Sequence, residues 1–595
     1  MSGVTSDVKP VLTEDARISD IKSQLDVSAL LGSRDNSFYS YAATTTSANS
    51  VNVNCSLPSE NVVFDRLIFI GATVNLELLI TIPKQPGVGQ NPPTVPAQGS
   101  QVFEYGAKCA FQQFPLNGMI ANNNIKVNSV SFNMAQDDLQ SVLLRTQDLN
   151  DLAKSNMCMS PSYPDQFLEY AASQVNFKNN PLAGYNSNVY SSLVSRGSHP
   201  ITINKCFVDG AEVLTFAQLV AGDPTTDGGH TYKVQFSAEF FEPLLLSPFI
   251  FTSKKISKAG LVNVQNLTFN FTIDNMLRNV WSQLPSPYTG YTSVLSLQPQ
   301  PFSNFNVYIN CLTPHITQTI PPVSILPCFT WERYLSSSVN TQEMDPNTTS
   351  DIVLNNLVLS QIPEQIIVVV RKQRSAKTYN DANSYLTINS CSINFLNSQG
   401  MLSNCNKNLL YKISKENGYA DSWYQWSGLV NEAVVQADGS YKPAKLFTSG
   451  SVLIINPAKD LSIGSPYLTN GSRGNYNLQI KLNVTNNYSA KVTPEIMIAC
   501  KNSCYLKNYP GAKSTLTSGM FDMSSLSSVV TEAGQLSNAD LVESQQGGIS
   551  DQSIGDLDNA PKYQGSGMRK SMYGQGARFG GAMSKEKSLK NKICL

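Results

Sequence analysis

The chain has 595 residues, with 43 Lys and Arg balancing 43 Asp and Glu, so it carries no formal net charge and is long enough for several domains. Charged residues make up 14% of it, against roughly a quarter in an ordinary soluble domain, and Asn, Ser, Gln and Thr fill the polar positions. This excludes a main role in gripping nucleic acid, because phosphate neutralisation needs clustered Lys and Arg, which only the last few dozen residues hold.

The N-terminus, Met1 to Arg34, is polar and mixed in charge, with no apolar run of the kind that starts a signal peptide. No window reaches the roughly 18 to 20 consecutive apolar residues that span a bilayer, so the expectation is a chain neither exported nor membrane-spanning by its own signals. Ile18, Ile21, Leu25 and Leu30 lie in this stretch without strand alternation, and residues 1–45 are expected to form an arm. Strand periodicity then takes over. Val74, Leu76, Leu78, Ile80 and Ile82 alternate with polar residues, and Val130, Phe132 and Met134 repeat the pattern. Short helices are predicted at Leu139 to Leu152 after Asp137-Asp138, at Tyr163 to Val175 and at Ala211 to Val220, all in connections between strands. That placement argues against a parallel α/β sheet.

A boundary is expected near Ser247 to Gly260, giving a first β domain over 46–250 and a second over 251–509, each the size of one elaborated sandwich. The second half repeats the alternation at Leu267 to Ile273 and Tyr476 to Val484, while Ile366 to Val370 reads as a strand buried on both faces. Asp227-Gly228-Gly229, Asn417-Gly418, Asp438-Gly439 and Asn470-Gly471 read as hairpin turns, since these residues tolerate positive φ. From 510 to 595 the chain is a Ser- and Gly-rich tail with too few large apolar residues for a core, and it ends in a basic run.

Candidate chemistry is sparse. The three histidines, His199, His230 and His315, have no sequence-local ligand or nucleophile partner, and no phosphate-binding loop, dinucleotide fingerprint or nucleophile elbow occurs. Cys500 and Cys504 stand four apart without a second ligand pair and are expected to be packed thiols rather than zinc ligands. The odd total of 11 Cys suits free thiols. Asp556 to Asn559 starts like a calcium loop but lacks its glycine and closing glutamate. No catalytic, cofactor or metal site is expected. Trp423 and Trp426 are read as core or subunit-interface anchors rather than a stacking platform.

The series Leu57 to Arg66, Glu242-Pro243-Leu244-Leu245-Leu246-Ser247-Pro248-Phe249, Gly260 to Leu267, Ile366 to Arg371, Leu409-Leu410-Tyr411, and Asn417-Gly418 before Trp423 and Trp426 resembles the double jelly-roll major capsid proteins of small eukaryotic DNA viruses, the Polinton-like viruses, adintoviruses and virophages. The resemblance spans Cys55 to Tyr505. It implies an all-β fold of two tandem eight-stranded jelly rolls, with short helices in the connecting loops and flexible termini. It also implies a structural subunit that forms homotrimeric, pseudo-hexagonal capsomers of an icosahedral virion capsid, assembled inside the host cell beside neighbouring capsomers and a penton protein. Met572-Tyr573-Gly574-Gln575-Gly576 resembles the pattern cut by adenovirus-type viral cysteine proteases, with Met572 in an apolar pocket, Gly574 and Gly576 giving the extended chain room, and the cut after Gln575. Arg569, Lys570, Arg578, Lys585, Lys587, Lys590 and Lys592, facing a single Glu586, suit weak, non-specific contact with a genome or a merely solubilising tail. Two other classes stay open on the residues alone: a tandem β-sandwich lectin or adhesin, which would need secretion and clustered acids or amides, and a sandwich enzyme, which would need convergent acid, base or metal groups.

Overall fold

The computed structural model describes residues 9–13, 26–30 and most of 33–518. The larger stretches left out within that span are 84–102, 147–163, 171–198, 214–229, 250–259, 315–322, 337–341 and 462–470. Among the described residues, fourteen strands precede residue 315: β1 Lys9–Thr13, β2 Asp26–Leu30, β3 Ser33–Thr46, β4 Ser50–Ser56, β5 Val63–Ile82, β6 Cys109–Phe111, β7 Ile120–Val127, β8 Val130–Met134, β9 Thr202–Val208, β10 Ala211–Val213, β11 His230–Pro243, β12 Asn266–Ile273, β13 Trp281–Gln283 and β14 Thr292–Pro314. Ten of them follow one hydrogen-bonded path, β10-β9-β11-β5-β14-β3-β4-β12-β7-β8. The path folds into two layers because β3 changes partner midway, pairing with β14 up to Ala42 and with β4 from Ala43. Eight of these strands make the roll, and the short β9–β10 hairpin extends one edge.

Alternation does what the sequence says it should. On β5, Val74, Leu76, Leu78 and Ile80 are buried while Leu79 is exposed, and on β12 Leu267, Phe269, Phe271 and Ile273 point inward. Together with Val234 and Phe236 of β11 they fill the space between the layers.

The second roll runs through β15 Ser324–Leu335, β16 Thr349–Gln361, β17 Gln365–Lys372, β18 Thr387–Phe395, β19 Ser398–Met401, β20 Leu429–Val435, β21 Tyr441–Phe447, β22 Val452–Ile455, β23 Arg473–Thr485, β24 Pro494–Tyr509 and β25 Lys513–Ser518. One sheet has the order β15-β24-β17-β22, with β25 beside β24, and the other has the order β16-β23-β18-β19. From β15 to β18 successive strands alternate between the sheets, the crossing pattern of a jelly roll. Ile366 to Val370 on β17 are all buried, as a central strand covered on both faces requires.

The pairing corrects several expected boundaries. β12 bonds to β4 and β7, and β14 bonds to β5 and β3, so the first roll runs on to Pro314 instead of ending at 250. β3 belongs to the sheet, which removes 33–45 from the arm. β1 and β2 form an antiparallel pair where no strand was expected. β25 carries order past residue 510, bonding Tyr509↔Lys513 through Cys504↔Ser518.

The helices are short: α1 Pro115–Gly118, α2 Gln136–Leu143, α3 Lys407–Glu416, α4 Trp423–Ser427 and α5 Pro457–Asp460. Of the predicted helices, the one after Asp137-Asp138 forms as α2 and a 3-10 turn to Thr146, and its remainder lies outside the described residues. The second is not helical over 164–170, and the third begins as strand β10. Asn417-Gly418 closes α3, with Gly418 at φ 107°, rather than turning a hairpin. Asp227-Gly228-Gly229, Asp438-Gly439 and Asn470 lie outside the described residues. No helix among the described residues is long and apolar enough to cross a membrane.

Candidate functional site: the joint between the two rolls

Where the rolls meet, the chain sets charge beside apolar surface: one buried apolar cluster runs through both rolls, and Ala110 and Tyr170 pack with Ala382. Among the described residues, five ion pairs run from one roll to the other: Arg145–Asp421, Arg333–Asp138, Arg371–Asp138, Arg374–Asp137 and Arg374–Asp274. Helix α2 positions the two aspartates, which sit in its first turn where the helix dipole favours anions. Arg371 stands at the end of β17, is held by Glu495 of the adjoining β24 at 2.9 Å, and projects toward Asp138. Arg278 donates to the carbonyls of Arg374 and Ser375 at 2.8 and 2.7 Å and so holds the loop that carries Arg374.

Burial sets the electrostatics. Asp137 is pushed up to about 6, first by burial and then by the neighbouring Asp138 charge, with Arg374 opposing. Asp138 is buried as well, but Arg371 and Arg333 outweigh that and hold it below the usual carboxylate range. Lys377 donates to Asn279 Oδ1 at 2.8 Å across the joint and to Asn383 Oδ1 at 2.6 Å, and burial pushes it down to about 8. These groups surround a cavity of about 40 Å³, room for about one water.

Two further contacts flank this centre. Arg145, almost fully buried, donates to Asp421 at 2.8 Å and to the carbonyls of Asp165 and Asn383. The segment 164–170 lies extended along the second roll: Leu168 N donates to Phe447 O, Tyr170 N to Asn380 O, and Ala382 N returns to Leu168 O. A helix at 164–170 is overridden because these backbone groups find partners on the other roll. On the far side Ser514 of β25 accepts from Asn128 Nδ2 at 2.9 Å, and its backbone exchanges hydrogen bonds with Ser129 Oγ at 2.8 and 3.0 Å, tying the C-terminal strand to the β7–β8 turn.

The residues singled out for chemistry sit apart from one another. His199 is buried, bonded to Glu239 O at 2.7 Å and stacked on Phe240, whereas His230 faces Asp209 at 2.7 Å; His315 lies outside the described residues. Cys500 and Cys504 are buried on β24, and no group of three or more His, Cys, Asp or Glu among the described residues could hold a metal. Trp426 is fully buried, with Nε1 donating to Val452 O at 2.9 Å, and Trp423 stacks beside it at 6.0 Å. The pair therefore anchors α4 on the second roll's core. Met572, Gly574, Gln575, Gly576, the basic end and Asp556 to Asn559 lie outside the described residues. Sequence reading missed the joint. Its one local signal was Asp137-Asp138 at a helix start, and the arginines that answer it are some 200 residues further on.

A subunit of two tandem jelly rolls is the architecture of double jelly-roll capsid proteins, and the comparisons with known proteins agree. Residues 6–312 match the family described as Sputnik virophage major capsid protein 1st domain, and residues 331–504 match the family described as major capsid protein V20 C-terminal domain. The chain therefore belongs to the Sputnik virophage major capsid protein family: it is a major capsid protein of virophage type, a structural protein of the virion capsid and not an enzyme. It is 26% identical over 477 residues to the putative capsid protein V20 of Sputnik virophage, covering 78% of this chain and 73% of that one. Its fold is similar to a chain in the cryo-EM structure of the Sputnik virophage at 3.5 Å, with TM-score 0.67, 21% identity and coverage of 91% and 97% of the two chains. It is also similar to the mavirus major capsid protein, with TM-score 0.58, 14% identity and coverage of 87% and 97%.

Proposed function

We propose that three copies of this chain form a pseudo-hexagonal capsomer, two rolls from each, and that many capsomers tile an icosahedral shell assembled inside the host cell, with a penton protein at the vertices. The joint is the observation that supports this. A pseudo-hexagon needs its rolls at one fixed spacing, and buried ion pairs with defined fork geometry favour one placement over its neighbours. Weak contacts between copies then add up through multivalency. Light scattering and electron microscopy of the purified protein at micromolar concentration test it: trimers of hexagonal outline are expected, and a stable monomer across pH and salt overturns it.

The ends have supporting roles in this proposal. The residues ahead of β3 tie neighbouring capsomers from the inner face, and deleting them should leave trimers but impair shells. The basic run from Arg569 to Lys592 touches the genome without reading sequence, so removing 566–595 should reduce DNA retention at low salt. A viral cysteine protease cuts after Gln575. Intact mass of protein from mature particles decides this point: a terminus at Gln575 establishes the cut, and one at Leu595 rules it out.

A further inference from the structure

The nine described cysteines carry free thiols, but two of them stand in a special relation. Cys328 on β15 and Cys504 on β24 are buried and their sulfurs lie 2.9 Å apart, across 176 residues of chain. β15 and β24 are hydrogen-bonded neighbours in the sheet. Ser336 N donates to Ile496 O at 2.9 Å, and Cys328 and Cys504 meet eight residues back on one strand and eight on along the other, which is antiparallel register with the two cysteines directly opposed. Directly opposed residues in such a pair have Cα atoms about 4.5–5.5 Å apart, inside the span a disulfide bridges.

We propose that Cys328 and Cys504 are a latent cross-link site, closed to an intrachain disulfide by a low-molecular-weight disulfide oxidant of the glutathione class. The thiolate of one cysteine attacks the oxidant, forming a mixed disulfide and releasing one small thiol. The second cysteine then displaces the other small thiol, so two protein S–H groups are oxidised to one S–S and the oxidant leaves as two thiols with the protons. The buried Arg66 on β5 favours the thiolate at Cys328, while burial acts the other way and raises that thiol well above its ordinary value. The site is therefore slow to react when fully folded and, once closed, shielded from reductants.

The position gives the bond a purpose. β15 is the first strand of the second roll, and it also carries contacts to the first: Phe329 N donates to Pro248 O, and Arg333 pairs with Asp138. A disulfide to β24 pins this edge strand and with it one side of the joint. A virion that leaves a reducing compartment for an oxidising one would gain the bond after assembly; that setting rests on the capsid reading above, whereas the cross-link itself does not.

The test uses the full chain, purified reduced and incubated with oxidised glutathione at sub-denaturing urea, then alkylated and digested without reductant for mass spectrometry. The expected result is a peptide pair joined through Cys328 and Cys504, two hydrogens lighter than the sum, with Cys55, Cys311, Cys391 and Cys405 still alkylated. The cross-linked protein should melt higher by about 5–10 °C, a gain lost in Cys328→Ala and in Cys504→Ala. Glutathione adducts alone, or links to other cysteines, overturn the proposal on the unmutated chain, whether or not either variant folds. Failure here leaves the capsomer reading intact, because trimers and shells are scored separately.

Discussion

Asp138→Ala removes the group on which the joint converges. Its carboxylate is 3% exposed and answers two guanidiniums, Arg333 at 34% exposure and Arg371 at 15%. Breaking a buried pair costs about 3–5 kcal/mol when it strands a charge. The stranding here is partial, because Arg371 keeps Glu495 at 2.9 Å and Arg333 is exposed enough to turn to water, which places the loss near the lower end, about 3 kcal/mol. Arg333→Ala alone should cost under about 1 kcal/mol, as screened pairs do. Urea unfolding of the full chain measures both, and calorimetry adds a second readout: with the hub gone, the rolls should begin to melt separately and a single transition should broaden or split. An Asp138→Ala midpoint equal to the unaltered protein's, or an Arg333→Ala loss exceeding that of Asp138→Ala, would refute the reasoning.

Gly450→Ala should destabilise by about 3 kcal/mol or more in thermal unfolding, since φ is +86° and a Cβ would lie 1.8 Å from Tyr385 O, a backbone atom that cannot step aside. For Asp137, whose folded value of about 6 lies above the ordinary 3.8, the folded chain keeps a proton that the unfolded chain releases; its contribution is fully present below about pH 4 and lost as pH rises through 6. Asp137→Asn should remove that slope from urea midpoints taken at pH 4, 5, 6 and 7, whereas Asp138, shifted the other way, loses its contribution only as pH falls below the ordinary carboxylate value. Ser514→Ala breaks the bonds to Asn128 and Asn508 and should cost about 1–2 kcal/mol, with faster proteolysis after Tyr509 as a second readout.

The strands were legible because their signal is local. Period-two runs such as Leu267 to Ile273 fix which side chains face inward whatever the partner strand is, and each such run is a strand in the structure. The connections were not legible for the converse reason. Ala211–Val213 has no helix to form once it pairs with β9, and 164–170 is extended because its backbone groups find the other roll. The domain boundary failed likewise. Pro243 to Phe249 has the turn composition of a linker, yet Leu244 and Leu246 pack into the core and the chain returns twice more to the first roll. Nothing within a few residues of Arg371 or Arg374 names Asp137, Asp138 or Asp274 as a partner, so the joint exists only at the level of tertiary pairing.

A chain with so little charge still buries Asp137, Asp138 and Arg145 at the joint. An apolar contact between two rolls tolerates sliding, because dispersion and area burial are nearly indifferent to a shift of an ångström or two along a smooth face. A bidentate or forked ion pair loses its hydrogen bonds over the same shift. The raised Asp137 and lowered Lys377 show that this geometry carries a desolvation cost. For an isolated two-domain protein that exchange of stability for placement would have little point. If the subunit is repeated around a closed shell, as proposed above, an angular error between its rolls is repeated at every contact, so a joint that admits one placement is worth more to assembly than a tighter one that admits several.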